Sequence, residues 1–342
     1  MEKKWRCPEE TLRKVPTYGE IREYVLKVGI ESISLSKSVS RKALVRYATR
    51  IDRVFSYLTR NVIGPLKGFK GILQIGFYKD IASNALPEGY SIDDVVGKLL
   101  GKLRKVSVLS REYKARVSAS FDSAEAKEIY REYIGRVLSI VRKLSKDIEL
   151  VNRAIAELRR TPCIDPSLPV IAVAGLPQVG KSTLVSVISS AKPKSSPFPF
   201  TTKEIVMGHI DYGFSRFQIL DLPGILDRPP ERMNEIERKA FIAITNLANL
   251  ILYLIDPSED FYYGLESQLN LLRYFKENVK VDIIVVVNKI DKVSPERLEK
   301  VVTAASEVVP GTEIIKVSAL GRIGLEELLR TLAKHIGRSS EL

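Results

Sequence analysis

The sequence predicts two folds in series: an all-α helical bundle, then an α/β domain with a doubly wound, mostly parallel six-stranded sheet. Three observations lead there. Up to about residue 160 the apolar side chains recur at helical spacing, whereas from Pro169 short apolar runs alternate with helical stretches. Thr161-Pro-Cys-Ile-Asp-Pro166 carries two prolines and punctuates the change. Charge divides at the same place. Residues 1–160 hold 33 Lys+Arg against 19 Asp+Glu, and residues 161–342 hold 21 against 22, so the net +13 belongs to the first part. The expected domains are residues 1–163 and 164–342.

With 45% hydrophobic residues the chain can bury two cores, so disorder is not expected. Cys7 and Cys163 are the only cysteines and make neither a disulfide framework nor a metal cluster, which fits a reducing cytosol. His209 and His335 are too few for a histidine metal site. The N-terminus lacks the apolar core of a signal peptide, and the most apolar run, Leu247 to Ile255, is far short of a membrane span. A soluble cytoplasmic protein is expected.

In the first half, Leu44, Ala48, Ile51, Phe55, Leu58 and Val62 outline a helix. Its opposite face carries Arg46, Arg50, Arg53, Tyr57 and Arg60 in one narrow stripe. Arginines beside an aromatic could grip RNA phosphates and stack on a base; a solvated helix face is the competing view. Residues 64–89, with five glycines and two prolines, read as loop with one short helix. Ser91-Ile-Asp-Asp94 caps another helix to about Val117, which carries a second basic concentration from Lys98 to Arg116. Asp122, with Glu125 three residues on, opens a heptad seam from Tyr130 to Leu158 that predicts one helix of nearly forty residues, roughly 55 Å long. It could pair between chains, but with helices preceding it an antiparallel bundle within the chain is expected. A half this basic points to a polyanion, either nucleic acid or an acidic membrane surface, unless it is only a solvated helical domain.

The second half is organised around Gly175-Leu-Pro-Gln-Val-Gly-Lys-Ser182, which fits G-x-x-x-x-G-K-[ST] between the apolar strand Val170–Ala174 and a helix opening at Thr183. Glycines let successive N–H groups turn onto an anion, and the helix start adds positive potential. The whole stretch, Gly175, Leu176, Pro177, Gln178, Val179, Gly180, Lys181, Ser182 and Thr183, is the candidate phosphate site. Lys181 would reach the β- and γ-phosphates and Ser182 would hold Mg²⁺.

Four further signals follow in order. Asp221-Leu-Pro-Gly224 ends a strand; the carboxylate suits Mg²⁺, and the Gly224 N–H can approach a γ-phosphate. Thr202, then Thr201, in Pro197-Phe-Pro-Phe-Thr-Thr202 are the candidates to close on the metal when triphosphate is bound. Asn288-Lys-Ile-Asp291 ends the apolar strand Val281–Val287. There Asp291 can accept from guanine N1–H and its 2-amino group, Lys289 can lie along the base, and Asn288 can brace the loops. Ser318-Ala319-Leu320 follows another strand and can meet the guanine 6-oxygen through its amides. GTP or GDP with Mg²⁺ is the expected cofactor set.

This ordered set resembles a translation-factor-class GTPase with a P-loop. The F-T-T and D-x-P-G-I elements resemble the Obg group. Gly208-His-Ile-Asp-Tyr212, Asp221-Leu-Pro-Gly-Ile-Leu-Asp-Arg228 and Gly264-Leu-Glu-Ser-Gln-Leu269 resemble the nucleolar GTP-binding (NOG) family. The resemblance implies a GTPase acting in large ribosomal subunit assembly, with its helical domain against ribosomal RNA and protein, no DNA and no membrane, and a monomeric state. The chain ends soon after the GTPase domain, which resembles a shorter archaeal-type member. Gln178 departs from the asparagine that helps many relatives hold a monovalent cation. Ile225 stands where Ras-like proteins place a water-orienting glutamine, so slow intrinsic hydrolysis is expected. Asp227 and Arg228 are polar neighbours for which a loop-surface role is expected. A constitutive RNA-binding scaffold stabilised by nucleotide, and a membrane-surface GTPase, are the alternatives; no lipidation motif or apolar-faced terminal helix supports the second.

Overall fold

The computed structural model describes residues 5–34, 41–197 and 204–339. The chain forms two compact units. One is Pro8–Arg159; the other runs from Arg160 onward and includes the short segment ending at Cys7. Covalent chemistry explains that inclusion. Cys7 and Cys163, from which no disulfide is expected on number alone, are bonded to each other across a sequence separation of 156, with Cα atoms 5.1 Å apart.

The regular structure of the first unit's described residues is helical: α1 Pro8–Thr11, α2 Tyr18–Ile30, α3 Lys42–Leu58, α4 Gly64–Ile72, α5 Gly76–Asn84, α6 Ile92–Ala119, α7 Ser123–Lys143 and α8 Ser145–Arg160. Side chains cap the starts as the sequence suggests. Ser91 accepts from the Asp94 N–H at 3.3 Å and Asp122 from the Glu125 N–H at 2.8 Å, while the Glu125 carboxylate reaches back to the Phe121 N–H. Helices α3, α6 and α7 pack together at the centre around Ile51, Val54, Leu103, Tyr113, Tyr133 and Val137.

Two expectations are corrected here. Residues 64–72 and 76–84 form two helices where loop with one short helix is expected, because Leu66, Phe69, Phe77, Tyr78 and Ile81 all reach the core. Burying each is worth about 2 kcal/mol, which outweighs about 1 kcal/mol for a glycine in a helix. The predicted forty-residue helix is two helices. Leu144 (φ −101°, ψ 0°) interrupts it, with its N–H bonding the Val141 carbonyl, while the Ser145 hydroxyl takes the Arg142 carbonyl at 2.9 Å. A side-chain donor there competes with the backbone ladder. Apart from half-buried Ile134, the seam from Tyr130 through Leu158 is buried within the chain, so it forms an internal bundle.

The second unit is an α/β domain: β1 Val170–Ala174, α9 Lys181–Ile188, β2 Lys194–Pro197, β3 Glu204–Tyr212, β4 Ser215–Asp221, α10 Glu235–Leu247, β5 Leu250–Ile255, α11 Gly264–Asn278, β6 Ile283–Val287, α12 Pro295–Val308, β7 Ile314–Lys316 and α13 Leu325–Ser339. The sheet order is β2-β3-β4-β1-β5-β6-β7, with β3 antiparallel to both β2 and β4 and the remaining pairs parallel. Seven strands are described where six are predicted. The extra one, Lys-Ser-Ser-Pro, has no apolar alternation and forms by pairing with β3. Central β1 is wholly buried, which is why it reads as a continuous apolar run. Its neighbours place Asp221 opposite Val173 and Tyr253 opposite Ala174, so the strand ends that carry the motifs share one edge of the sheet. No described helix is long and apolar enough to cross a membrane.

Candidate nucleotide site

Between β1 and α9 the backbone takes left-handed values at Gly175 (φ +134°), Gln178 (φ +68°) and Gly180 (φ +97°). A Cβ at Gly175 would lie 2.6 Å from the Leu254 carbonyl, and one at Gly180 would run into the Asn288 amide. Both positions therefore need glycine for the loop to close on its neighbours. Leu176 and Val179 are buried beneath the loop, Pro177 is half-buried, and Gln178, Ser182 and Thr183 face outward. Lys181 opens α9 only 7% exposed, and its ammonium donates to the Gly175 and Leu176 carbonyls at 2.7 and 2.9 Å. Burial lowers its pKa, with Asp221 and Asp227 opposing the shift. A buried ammonium ringed by carbonyls is primed for a polyanion.

On the base side, Asn288 is 2% exposed and joins three loops. Its amide nitrogen donates to the Val179 carbonyl at 2.9 Å, and its oxygen accepts from the Ala319 N–H at 3.0 Å. Lys289 sits in the left-handed region (φ +59°) and stretches over the phosphate loop to the Gln178 carbonyl at 2.8 Å. Asp291 is exposed on the short turn Ile290–Lys292. Buried Ser318 accepts from the Gly321 N–H at 2.9 Å, Ala319 is buried, and Leu320 is exposed. The structure thus gathers phosphate loop, Asn288–Asp291 and Ser318–Leu320 at one end of the sheet.

The metal side can be tested on Asp221. It is fully buried; one carboxylate oxygen accepts from the Ser182 hydroxyl and the other has no hydrogen-bond partner. Burial raises its pKa, countered by the Ser182 bond and by Lys181. A buried carboxylate with an orphaned oxygen beside a hydroxyl fits Mg²⁺, which Asp221 and Ser182 would hold. Thr201 and Thr202 lie outside the described residues.

Sequence reasoning gave Asp256 no role and expected of Asp227 only a place on the loop surface. Asp256, 2% exposed at the end of β5, pairs with Lys289 at 2.6 Å, and its backbone is clasped by Gln268, whose amide bonds its N–H and carbonyl at 2.8 and 2.9 Å. A carboxylate directly after an apolar strand was the available signal for Asp256, as it was for Asp221. Asp227 is no idle surface residue: it accepts the Gly224 N–H at 2.8 Å. Nothing in one dimension marks that contact. Ile225 is fully buried, so it turns into the core and leaves no side chain to hold water.

In the helical unit the arginine stripe is largely occupied. Arg53 pairs with Glu31 at 2.6 Å, Arg50 donates to the Glu31 carbonyl at 3.0 Å, and Tyr57 stacks on Tyr24 with ring centroids 3.7 Å apart. These three form a seam with α2; Arg46 and Arg60 remain exposed. On α6, Lys98, Lys114 and Arg116 are paired with carboxylates, whereas Lys102, Arg104, Lys105 and Arg111 are exposed and form no ion pair among the described residues.

Two family models match. Residues 170–289 match a 50S ribosome-binding GTPase, and residues 10–165 match a NOG1 N-terminal helical domain. The chain is 32% identical over 259 residues to nucleolar GTP-binding protein 1 of Candida glabrata and 32% over 258 residues to that of Saccharomyces cerevisiae, covering 74% of this chain and 40% of each relative. An uncharacterized protein of Methanocaldococcus jannaschii is 39% identical over 194 residues, 57% of this chain and 54% of that protein. A solved structure described as nucleolar GTP-binding protein 1 of Plasmodium falciparum is 28% identical, with a TM-score of 0.46 over 53% of this chain and 92% of that one. The chain spans about two fifths of the length of the yeast relatives. A NOG1 helical domain running directly into a GTPase domain is the arrangement of the nucleolar GTP-binding (NOG) family, and the chain belongs to it.

Proposed function

We propose that the protein binds GTP and GDP with Mg²⁺, hydrolyses GTP slowly, and uses that cycle as a switch in assembly of the large ribosomal subunit. The observation that carries the nucleotide reading is Asn288. One buried amide fixes the phosphate loop through Val179 and the Ser318–Leu320 loop through Ala319, so the triphosphate cradle and the base site share a single brace. Within it Lys181 and the loop amides stabilise charge on the phosphates, Asp221 and Ser182 hold the metal, Thr202 closes the switch, and Asp291 reads guanine. When bound, Mg²⁺ neutralises charge on the phosphate oxygens. Slow hydrolysis follows from the burial of Ile225, which leaves water unoriented until a partner completes the site. Calorimetry tests the base reading: GDP is expected to bind at least about a hundredfold more tightly than ADP, because adenine leaves the Asp291 carboxylate without donors. Equal uptake of both would refute it.

The ribosomal reading is supported by the names of the relatives and by charge. The exposed Lys102, Arg104, Lys105 and Arg111 on α6, in no ion pair among the described residues, are the better candidates to meet ribosomal RNA phosphates, in preference to Arg50, Arg53 and Tyr57. Replacing Lys102, Arg104 and Lys105 by alanine is expected to weaken binding to purified large subunits. It should also reduce the slope of log affinity against log salt by roughly 2 to 3 units, about 0.7–0.9 per lost phosphate contact. An unchanged salt slope in co-sedimentation would remove these residues from the interface.

A further inference from the structure

Gly224 is the amide that a γ-phosphate would need, and in this structure it is taken. Its N–H donates to the Asp227 carboxylate at 2.8 Å. The backbone around this contact is held on both sides. Leu226 accepts the Gly175 N–H of the phosphate loop at 3.0 Å, the Ile225 N–H bonds the Leu222 carbonyl at 3.2 Å, and the Ile225 and Leu226 side chains are buried. What can move is the half-buried Asp227 side chain. The same carboxylate acts on both groups that face the phosphates: it favours the charged form of Lys181 and opposes ionisation of Asp221. The carboxylate already occupies the amide that the third phosphate would need.

Room for it to leave is also present. Asp227 borders a cavity of about 470 Å³ alongside Pro177, Arg228, Arg232, Tyr263 and Asn270. Swung outward, the carboxylate would enter a cavity lined by the Arg228 and Arg232 side chains, of which Arg228 already pairs with Glu237 at 2.8 Å.

We propose that Asp227 sets the preference between GDP and GTP: its carboxylate occupies the Gly224 N–H, so a triphosphate must displace it and a diphosphate need not. The proposal rests on the nucleotide reading above and deepens it. Asp227 becomes an internal stand-in for the γ-phosphate. It makes GDP the favoured ligand of the free protein and couples GTP binding to movement of the Asp227 side chain.

The test is calorimetry on the full chain, freed of nucleotide, with GDP and with a non-hydrolysable GTP analogue in Mg²⁺, for wild type, Asp227→Ala and Asp227→Asn. In Asp227→Ala the analogue is expected to bind about tenfold more tightly, the equivalent of one charge-assisted hydrogen bond no longer broken, while GDP stays within about twofold. Asp227→Asn keeps an acceptor and loses the charge, so a smaller gain is expected. Preserved GDP affinity shows that each variant is folded. GDP binding intact with an unchanged or lower GTP-analogue affinity, or equal gains for both nucleotides, would overturn the role of Asp227 alone. A wild-type protein that takes up neither nucleotide would overturn the nucleotide reading together with it.

Discussion

Lys181→Met is expected to lower guanine-nucleotide affinity at least about a hundredfold while leaving the nucleotide-free protein as stable as wild type or slightly more so. The two effects have one cause. The Lys181 ammonium is nearly inaccessible and, among the described residues, donates to two loop carbonyls. Two charge-assisted contacts to phosphate, at roughly 1.5–3 kcal/mol each, account for the lost affinity. Without nucleotide, methionine fills much the same space with no charge to desolvate, which offsets the two carbonyls it leaves without a donor. The pH dependence separates this from a general packing defect. Burial lowers the folded-state pKa of Lys181, so between that value and the unfolded value of about 10.4 the unfolded chain holds more protons, and stability rises with pH. Thermal melts from neutral to alkaline pH should therefore show wild type gaining on Lys181→Met as pH rises. If the variant instead melts well below wild type at every pH, Lys181 is a structural residue.

What could be read from the sequence was what lies contiguous in it. The phosphate loop, Asp221–Gly224 and Asn288–Asp291 each encode their local geometry in a few neighbouring residues, and the apolar strands before them fix which edge of the sheet they share. The parallel strands β1, β5 and β6 were legible because both faces are buried. Strand β2 was not, since Lys-Ser-Ser-Pro owes its conformation to β3. Glycine density misled at residues 64–84, where Phe69, Phe77 and Tyr78 supply burial that composition does not register. Helical periodicity correctly found α3, but it could not say that the polar face of Arg50, Arg53 and Tyr57 would meet Glu31 and Tyr24 of α2. Asp227 is the sharpest case. Its meaning is the 2.8 Å contact with an amide three residues earlier, and that depends on how Leu226 is tied to Gly175.

Cys7→Ser is expected to destabilise the protein by up to about 5 kcal/mol, because the bond it removes closes a long loop. The cysteines are 156 residues apart and flank the whole helical unit. In the chain-entropy account, cross-linking a loop of that length restricts the unfolded state by about 5 kcal/mol at 25 °C, with native-state enthalpy adding or subtracting. Several degrees are then expected between the unfolding midpoints of the oxidised and reduced protein. Cys163→Ser should match Cys7→Ser, and the double variant should cost no more than either single one, since the two residues act as one unit. Thiol labelling of the denatured, unreduced protein checks the premise, with no reactive thiol expected before reduction and two after. Labelling of both cysteines beforehand, or midpoints that ignore reductant, would show that the ends of the helical unit are held by packing alone. A bond that survives also bears on where the protein works. Two cysteines suggest a reducing cytosol only while they are separate thiols, and here half-buried Cys7 and Cys163 meet at bonding distance.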